Sequence, residues 1–385
     1  MIVDEIAVRD GAGGPALTAT IRSDRGAFEP FEARYDVPGG DPSWLMATGD
    51  PFVVALLIPC DALGEDLRVE GPVSPRLLAS TRRVLDILRS WSVTRFDWRD
   101  AWRGSGEPAV VSVAEERATP RADGVGLYLS LGVDSFHALL TNAGGPGRPT
   151  HLIFLDGFDL LPNDRIVFDR ALEGVRAVAE ATGTTPVVVR PNLRPLIERY
   201  TPWGISYGGW LLSVGIALGG VLGNVRVASA NSYVNLSPEG LHALLDPLWS
   251  TEATEVHHVG AFASKGQKVL NVIARSPLAL QHLRVCFAGP PKGLYNCGHC
   301  GKCMSAMVGL KAAGAPEPWP TFPTVPTFLD VLRHPSLGPG IDILRRSAPL
   351  LEQRGERAMA AAARFNVLRR KIQPRLRSLA CKLAR

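Results

Sequence analysis

Cysteine spacing is the strongest chemical signal in this sequence, which has six cysteines in 385 residues. Four of them fall in one short segment: Cys286, Cys297, Cys300 and Cys303. The last three form two Cys-x-x-Cys steps that share a cysteine, and this spacing brings four thiolates around one tetrahedral ion. Metal ligation is favoured over disulfides in an intracellular chain, because its thiols stay reduced. The segment predicts a closed structural zinc site, with an iron–sulfur cluster as the alternative.

A second candidate site is the stretch Ser130-Leu131-Gly132-Val133-Asp134-Ser135, which lies between a predicted strand and a predicted helix. Backbone N–H groups at the start of a helix are unpaired and positively polarised, so they suit an anion. Gly132 lets the backbone approach that anion closely, and the Ser130 and Ser135 hydroxyls add donors. Asp134 would repel phosphate, so it suits a magnesium ion that bridges phosphates. The stretch predicts a phosphate-binding loop; the alternative is an ordinary turn between a strand and a helix.

The elements around these two sites follow a regular order along the chain. Over 119–314 the sequence alternates strand-like and helix-like segments, among them a predicted strand over 125–129 and predicted helices over 134–141 and 208–222. This alternation predicts a doubly wound parallel sheet with ligands at the carboxyl ends of its strands. The cysteine segment 286–303 closes this region. Residues 1–118 mix short alternating segments with one helical stretch and predict a small α+β domain of unknown role. Closely spaced prolines predict a linker over 315–340, followed by a basic helical tail at 341–385.

The net charge of +5 is concentrated at the end of the chain. The segment 364–385 holds eight Lys or Arg and no Asp or Glu, and without those eight positive charges the remainder is at −3. A surface for tRNA is therefore expected in the tail alone, and a solvated terminal helix is the alternative. The sequence shows no membrane span and no secretory signal, which predicts a cytoplasmic protein. A homodimer is a further possibility.

The loop and the cysteines together resemble the N-type ATP pyrophosphatase (PP-loop) superfamily. The stretch 130–135 is similar to the SGGxDS pyrophosphate loop of that superfamily. The cysteine spacing is similar to that of its 7-cyano-7-deazaguanine synthase-like members. Asp246-Pro247-Leu248 and Lys268-Val269 resemble the Pro-Leu…Lys segment that precedes the cysteines in those proteins. The resemblance covers about residues 120–312.

This resemblance implies an ATP-dependent C–N ligase with an α/β fold. ATP with Mg²⁺ would transfer AMP to a carboxylate or amide oxygen of a small molecule, pyrophosphate would leave, and ammonia or an amine would displace AMP. The resemblance makes Asp134 and Lys268 the catalytic residues and places Asp156, at the end of the second strand of this region, near the adenosine. It assigns the phosphates to the loop residues Ser130, Gly132, Val133, Asp134 and Ser135.

Leu131 departs from the family pattern, because it replaces the first glycine of the loop. If that position requires a positive φ, a leucine costs about 1–2 kcal/mol. The loop would otherwise use an ordinary backbone conformation there, with the leucine side chain packed away from the ligand. Residues 1–118 have no counterpart in the synthase, so the acceptor substrate stays open.

Two other functions are compatible with parts of the sequence. A PP-loop thiolase that acts on tRNA or a small molecule would keep the ATP chemistry and use sulfur as the nucleophile. An α/β-hydrolase would use Ser206, which lies in a Gly-x-Ser-x-Gly motif, followed in order by Asp246 and a histidine at 257, 258 or 282. The segment before Ser206 is polar and contains a proline, which is not typical of the apolar strand that such a motif needs.

Overall fold

The computed structural model describes residues 1–11, 13–92, 107–145, 147–158, 165–286, 294–333 and 340–383. Within these ranges ten strands form one mostly parallel sheet flanked by helices, so the predicted α/β class is confirmed. The strands are β1 Ile2–Arg9, β2 Ala16–Arg22, β3 Phe31–Asp36, β4 Leu67–Val73, β5 Val111–Glu116, β6 Gly124–Tyr128, β7 His151–Leu155, β8 Thr185–Pro191, β9 Leu222–Ala228 and β10 Glu255–Val259.

Twelve α-helices are found in the described part of the chain. They are α1 Asp50–Leu63, α2 Pro75–Ser92, α3 Val133–Thr141, α4 Arg165–Thr182, α5 Arg194–Tyr200, α6 Trp203–Ala217, α7 Lys265–Asn271, α8 Pro277–His282, α9 Gly301–Ala313, α10 Phe328–Arg333, α11 Gly340–Gln353 and α12 Arg357–Leu383. Among these helices, none combines the length and the apolarity that a bilayer crossing requires.

Strand β6 lies at the switch point of the sheet, where the order of the strands reverses. The order is β10-β9-β6-β7-β8-β3-β2-β1-β4-β5, and the five strands from β10 to β8 are all parallel. From β6 the chain first proceeds outward through β7 and β8, and later returns to the other side of β6 with β9 and β10. In open α/β sheets ligands bind outside the carboxyl ends of the strands at such a switch point. The loop 130–135 follows β6 at this point.

Both faces of the central strands β6 and β7 are buried, because their successive side chains enter two different cores. Leu127 of β6 and Leu129, directly after this strand, pack into one core, and Tyr128 packs into the other. The first core lies with α3, α4, α7, α9 and α11, and the second lies with α1 and α6. This double burial fixes the strand and therefore the position of the loop that follows it.

The N-terminal strands belong to the same sheet. Strand β3 pairs antiparallel with β8 through Tyr35 with Pro191 and Asp36 with Arg190. Helix α1 packs against α6 so closely that a Cβ on Gly209 would lie 2.6 Å from the carbonyl oxygen of Val54. The described strands and helices of 1–118 therefore share a sheet and a core with the parallel strands, whereas the sequence predicts a separate domain for this region.

The C-terminal region is helical, as predicted, but its first half is part of the core. Helix α11 is amphipathic and buries Ile343, Leu344 and Leu351 together with α9, and Met359 of α12 joins the same core. A Cβ on Gly309 of α9 would lie 2.8 Å from Ile343, which shows how closely these helices approach. The predicted linker contains α10. The basic residues therefore begin within α12, a helix whose first turns are part of the core.

Candidate functional site

The loop between β6 and α3 adopts the backbone conformation that a glycine would normally supply. Leu131 has φ +62°, in the left-handed region, and its side chain is fully buried. The Leu131 side chain packs next to Gly174 of α4. The Leu131 backbone carbonyl oxygen accepts a hydrogen bond from the Arg284 N–H at 2.9 Å. Of the two alternatives that the sequence left open at this position, the structure has the positive φ, with the leucine side chain buried.

The start of α3 has donors that no side chain caps. Gly132 is the N-cap, with φ −79° and ψ 170°, and no side-chain acceptor bonds to the first turn. The Ser135 hydroxyl donates to the Gly132 carbonyl at 3.2 Å and lies 3.4 Å from the Ser130 hydroxyl. The free N–H groups and the helix dipole both favour an anion at this end of the helix.

Two lysines converge on Asp134 in the first turn of α3. Asp134 forms ion pairs with Lys265 and, through Oδ1 at 3.0 Å, with Lys268. Lys268 is 1% exposed, and its ammonium group also donates to the Ser229 carbonyl at 2.6 Å. Burial acts to raise the pKa of the Asp134 carboxyl, but the two lysine charges overcome it and hold that pKa below its ordinary value. Asp134 is therefore ionised at neutral pH.

Lys265 is a site residue that the sequence interpretation missed. It lies three positions before Lys268 on α7, so both ammonium groups extend from one face of the helix. That spacing was the available signal. Helix α7 is itself held by a capping box between Ser264 and Gln267.

A cavity of about 380 Å³ opens in front of the loop. Its described charged lining consists of Asp134 with Lys265, Arg284 and Lys302, so positive charge prevails. The described residues that line it are Ser130, Gly132, Val133, Asp134, Ala230, Lys265, Arg284, Val285, Cys286, Lys302, Ser305, Ala306, Gly340 and Ile343. The volume lies in the range typical of small-molecule sites.

His137 is a second residue that sequence reasoning missed, and it lies behind the lysines. It is 2% exposed, contacts the Phe262 ring and has no hydrogen-bond partner for Nδ1 among the described residues. Burial and the charge of Lys268 lower the pKa of His137 to about 4. His137 is therefore neutral at physiological pH and adds no third cation next to the lysines.

Asp156 lies apart from the cavity. It follows β7, as predicted, and its carboxylate binds Arg165 at 3.0 Å and Arg190 at 2.9 Å. It is not one of the described lining residues. Two guanidinium groups already neutralise Asp156, so the structure gives it a role in joining α4 to β8.

The geometry around Ser206 does not match a hydrolase. Ser206 lies in the first turn of α6, after another helix, and its hydroxyl donates to the Pro202 carbonyl at 3.3 Å. Asp246 and His258 do form a buried pair, with Oδ2 2.6 Å from Nδ1. However, His258 Nε2 has no hydrogen-bond partner among the described residues, so it does not activate Ser206.

The four predicted cysteines come together. Their sulfur atoms all lie within 4.8 Å of one another, and those of Cys297 and Cys303 are 3.8 Å apart. Four thiolates at about 2.3 Å from one tetrahedral ion lie about 3.8 Å from each other, whereas a disulfide requires about 2.05 Å. The group could therefore hold a single metal ion. Residues 287–293, between the first two cysteines, lie outside the described ranges.

Backbone donors and one buried amide hold this cysteine group in place. Cys300 is the N-cap of α9, and its sulfur accepts the Cys303 N–H at 3.5 Å. The Asn296 side chain, which is fully buried, accepts from the Val285 and Cys286 N–H groups at 2.8 and 3.1 Å. It donates to two carbonyls, those of residues 283 and 321. Asn296 thus joins the two halves of the segment, a role that the sequence did not indicate.

No protein-family model, curated protein or solved structure matches the chain.

The cysteine group and the phosphate-type loop are neighbours in space. Cys286 lines the cavity, and Arg284, two residues earlier, donates its N–H to Leu131 in the loop. Lys302 and Ser305 of α9, which begins directly after Cys300, line the same cavity. A metal bound by the cysteines would therefore fix one wall of the cavity.

Proposed function

We propose that this protein is an ATP-dependent ligase that forms AMP and pyrophosphate. ATP would bind at the loop 130–135, AMP would pass to a carboxylate or amide oxygen of a small molecule, and ammonia or an amine would then displace AMP. The observation that carries the proposal is the left-handed Leu131 at the switch point of the sheet. A buried leucine keeps this unfavourable conformation where a glycine-rich phosphate loop would need it.

The charges in the cavity support a polyphosphate ligand. The uncapped start of α3 and the ammonium group of Lys265 lie on the same side of the loop, with Lys268 buried behind them. Three cations and one carboxylate line the described cavity. A triphosphate would be attracted by this excess and would receive hydrogen bonds from the first turn of the helix.

Asp134 is the residue that would hold Mg²⁺. It is ionised, 22% of its side chain is exposed, and hard oxygen ligands are those that Mg²⁺ prefers. When bound, the ion would supply charge neutralisation of the phosphates. Lys265 is already paired with the same carboxylate and could turn towards the phosphates when the ligand enters.

Zinc is the metal that we propose for Cys286, Cys297, Cys300 and Cys303. The sulfur spacing fits one tetrahedral ion with four thiolate ligands. In an iron–sulfur cluster with several irons, the four thiolates bind different iron atoms. Their sulfur atoms therefore lie farther apart than around one ion. With four protein ligands the site is closed, so its contribution would be to stability and to the wall of the cavity.

Adenylation explains why so few acid–base groups are needed. A carboxylate is a poor electrophile, and an AMP leaving group divides one difficult displacement into two easier steps. The lysines and the helix start would stabilise the negative charge that develops on the departing pyrophosphate. No described contact favours a tRNA or a sulfur donor over this function.

The test is ATP-dependent pyrophosphate release, measured with a panel of carboxylic acids and ammonium. We expect release with at least one acid, and a loss of about 100-fold or more in Lys265→Met, since a cation at the developing charge is removed. Lys311→Met is the matched control, because Lys311 is similarly exposed and also pairs with carboxylates, away from the cavity. Equal activity in the two variants would contradict the proposal.

A further inference from the structure

A half-buried carboxylate, Glu239, is held in one position by two hydrogen-bond donors. The Tyr207 hydroxyl of α6 donates to Glu239 Oε2 at 3.1 Å, and the Asn231 amide donates to Oε1 at 2.5 Å. Both donors are neutral, so the negative charge of Glu239 is fixed in position but not cancelled. The sequence analysis assigned no function to any of these three residues.

This cluster is continuous with the proposed ATP site. Lys268 donates to the Ser229 carbonyl, Ala230 lines the cavity, and the next residue is Asn231, which binds Glu239. Ser229 also donates its hydroxyl to the Asn231 carbonyl at 2.6 Å, which fixes this turn after β9. Glu239 is therefore hydrogen-bonded to the residue that directly follows a lining residue of the cavity.

Two charged groups from other parts of the chain, Lys265 and Asp246, act on Glu239. Burial raises the pKa of the Glu239 carboxyl above its ordinary value, although the hydrogen bonds from Tyr207 and Asn231 lower it. The charge of Lys265 on α7 also lowers this pKa, and that of Asp246 raises it.

We propose that Glu239 binds the nucleophile of the ligase reaction as an ammonium ion or a primary ammonium group and takes its proton. This inference rests on the proposed function. In the step, one N–H proton passes to the Glu239 carboxylate, and the nitrogen lone pair forms a bond to the carbon that carries the AMP. The bond from that carbon to the AMP oxygen breaks, and AMP leaves with its electron pair.

The sign of the charge selects the class of nucleophile. Ammonia and simple amines are mostly cations at neutral pH, and a fixed carboxylate attracts them and makes them reactive by removing a proton. Hydrosulfide is an anion and would be repelled by Glu239. The cluster therefore favours C–N bond formation over sulfur transfer at this site.

The experiment compares ammonium with hydroxylamine, using ATP, Mg²⁺ and whichever carboxylic acid supports pyrophosphate release. Hydroxylamine is neutral at pH 7, so it needs neither an anion to bind it nor a base to activate it. We expect Glu239→Gln to lose about 100-fold or more in amide formation from ammonium. Hydroxamate formation should stay within a few-fold of the wild-type rate. Glu352→Gln, at an exposed glutamate, is the control and should match the wild type with both nucleophiles.

A second variant, Tyr207→Phe, tests the same role if Glu239→Gln fails to fold. Tyr207→Phe removes one of the donors and should weaken ammonium use less than Glu239→Gln does, again with hydroxylamine spared. Equal loss with both nucleophiles, no loss with either, or a wild-type enzyme that prefers sulfide would each overturn the role of Glu239 and leave adenylation in place. A wild type that releases no pyrophosphate with any acid would refute the proposed function itself.

Discussion

The left-handed conformation of Leu131 leads to a stability prediction with an unusual sign. At most buried positions glycine is less stable than alanine by about 0.5–1 kcal/mol, because it loses more backbone entropy on folding. At φ +62°, however, the left-handed backbone conformation destabilises alanine by about 1–2 kcal/mol, and glycine does not have this cost. We therefore expect Leu131→Gly to be more stable than Leu131→Ala by about 0.5–1 kcal/mol. Both variants fall below the wild type, since a fully buried leucine is worth about 2–5 kcal/mol over alanine.

Urea unfolding followed by circular dichroism measures this difference. Leu139 is the control position, because it is 3% exposed and lies within α3, where glycine should be about 1 kcal/mol less stable than alanine. The order of the two variants should therefore reverse between positions 131 and 139. If glycine is the less stable substitution at both positions, the left-handed backbone of the loop is refuted, and with it the strongest support for a phosphate cradle.

Three further predictions concern the metal, the buried histidine and the end of the chain. Cys300→Ser should lose the bound zinc, measured by mass spectrometry, and should have a lower melting temperature, whereas His299→Ala should keep one zinc per chain. A brown wild-type protein would contradict the assignment of zinc to the four cysteines. The NMR signals of His137 should show no titration between pH 8 and pH 5, because its pKa is lowered to about 4; a midpoint near 6.5 would contradict the burial that we describe. Deletion of 371–385 should leave a folded protein, whereas deletion from residue 340 should give insoluble protein, since α11 and the start of α12 complete the core; a soluble, cooperatively unfolding product from the longer deletion would contradict this packing.

Much of the parallel sheet follows from local sequence patterns. The predicted strand over 125–129 and the predicted helix over 134–141 match β6 and α3 closely, because apolar strands and amphipathic helices leave clear periodic signals. The helix predicted at 208–222 is present but runs from Trp203 to Ala217. Its apolar residues continue into β9, so periodicity could not mark where the helix ends.

Long-range packing was not predictable in the same way. The pairing of β3 with β8 joins residues that are far apart in the chain, and no local pattern specifies such a partner. The burial of α11 was visible as an amphipathic pattern, but the basic residues that follow it indicated a solvated tail. Periodicity shows that a helix has an apolar face and does not show what covers that face.

The candidate site was predicted best where one short segment supplies all of its residues. The cysteines and the loop 130–135 are such segments, and the structure places both at one cavity. Lys265 reaches the loop through the fold, from α7, and its ion pair with Asp134 is visible only in the structure. The positive φ of Leu131 was also beyond sequence reasoning, because leucine rarely adopts it.

The central claim, that loop 130–135 holds the phosphates of ATP, is tested most directly by calorimetric titration of ATP·Mg²⁺ into two glycine variants. Gly132 has an ordinary φ, and a Cβ there would lie 3.2 Å from the Ser130 hydroxyl at the edge of the cavity. Gly144→Val is the control, because nothing lies within 4 Å of a Cβ at that position. We predict that the wild type and Gly144→Val bind one ATP per chain and that Gly132→Val binds none. Unchanged ATP binding in a folded Gly132→Val variant would contradict the account.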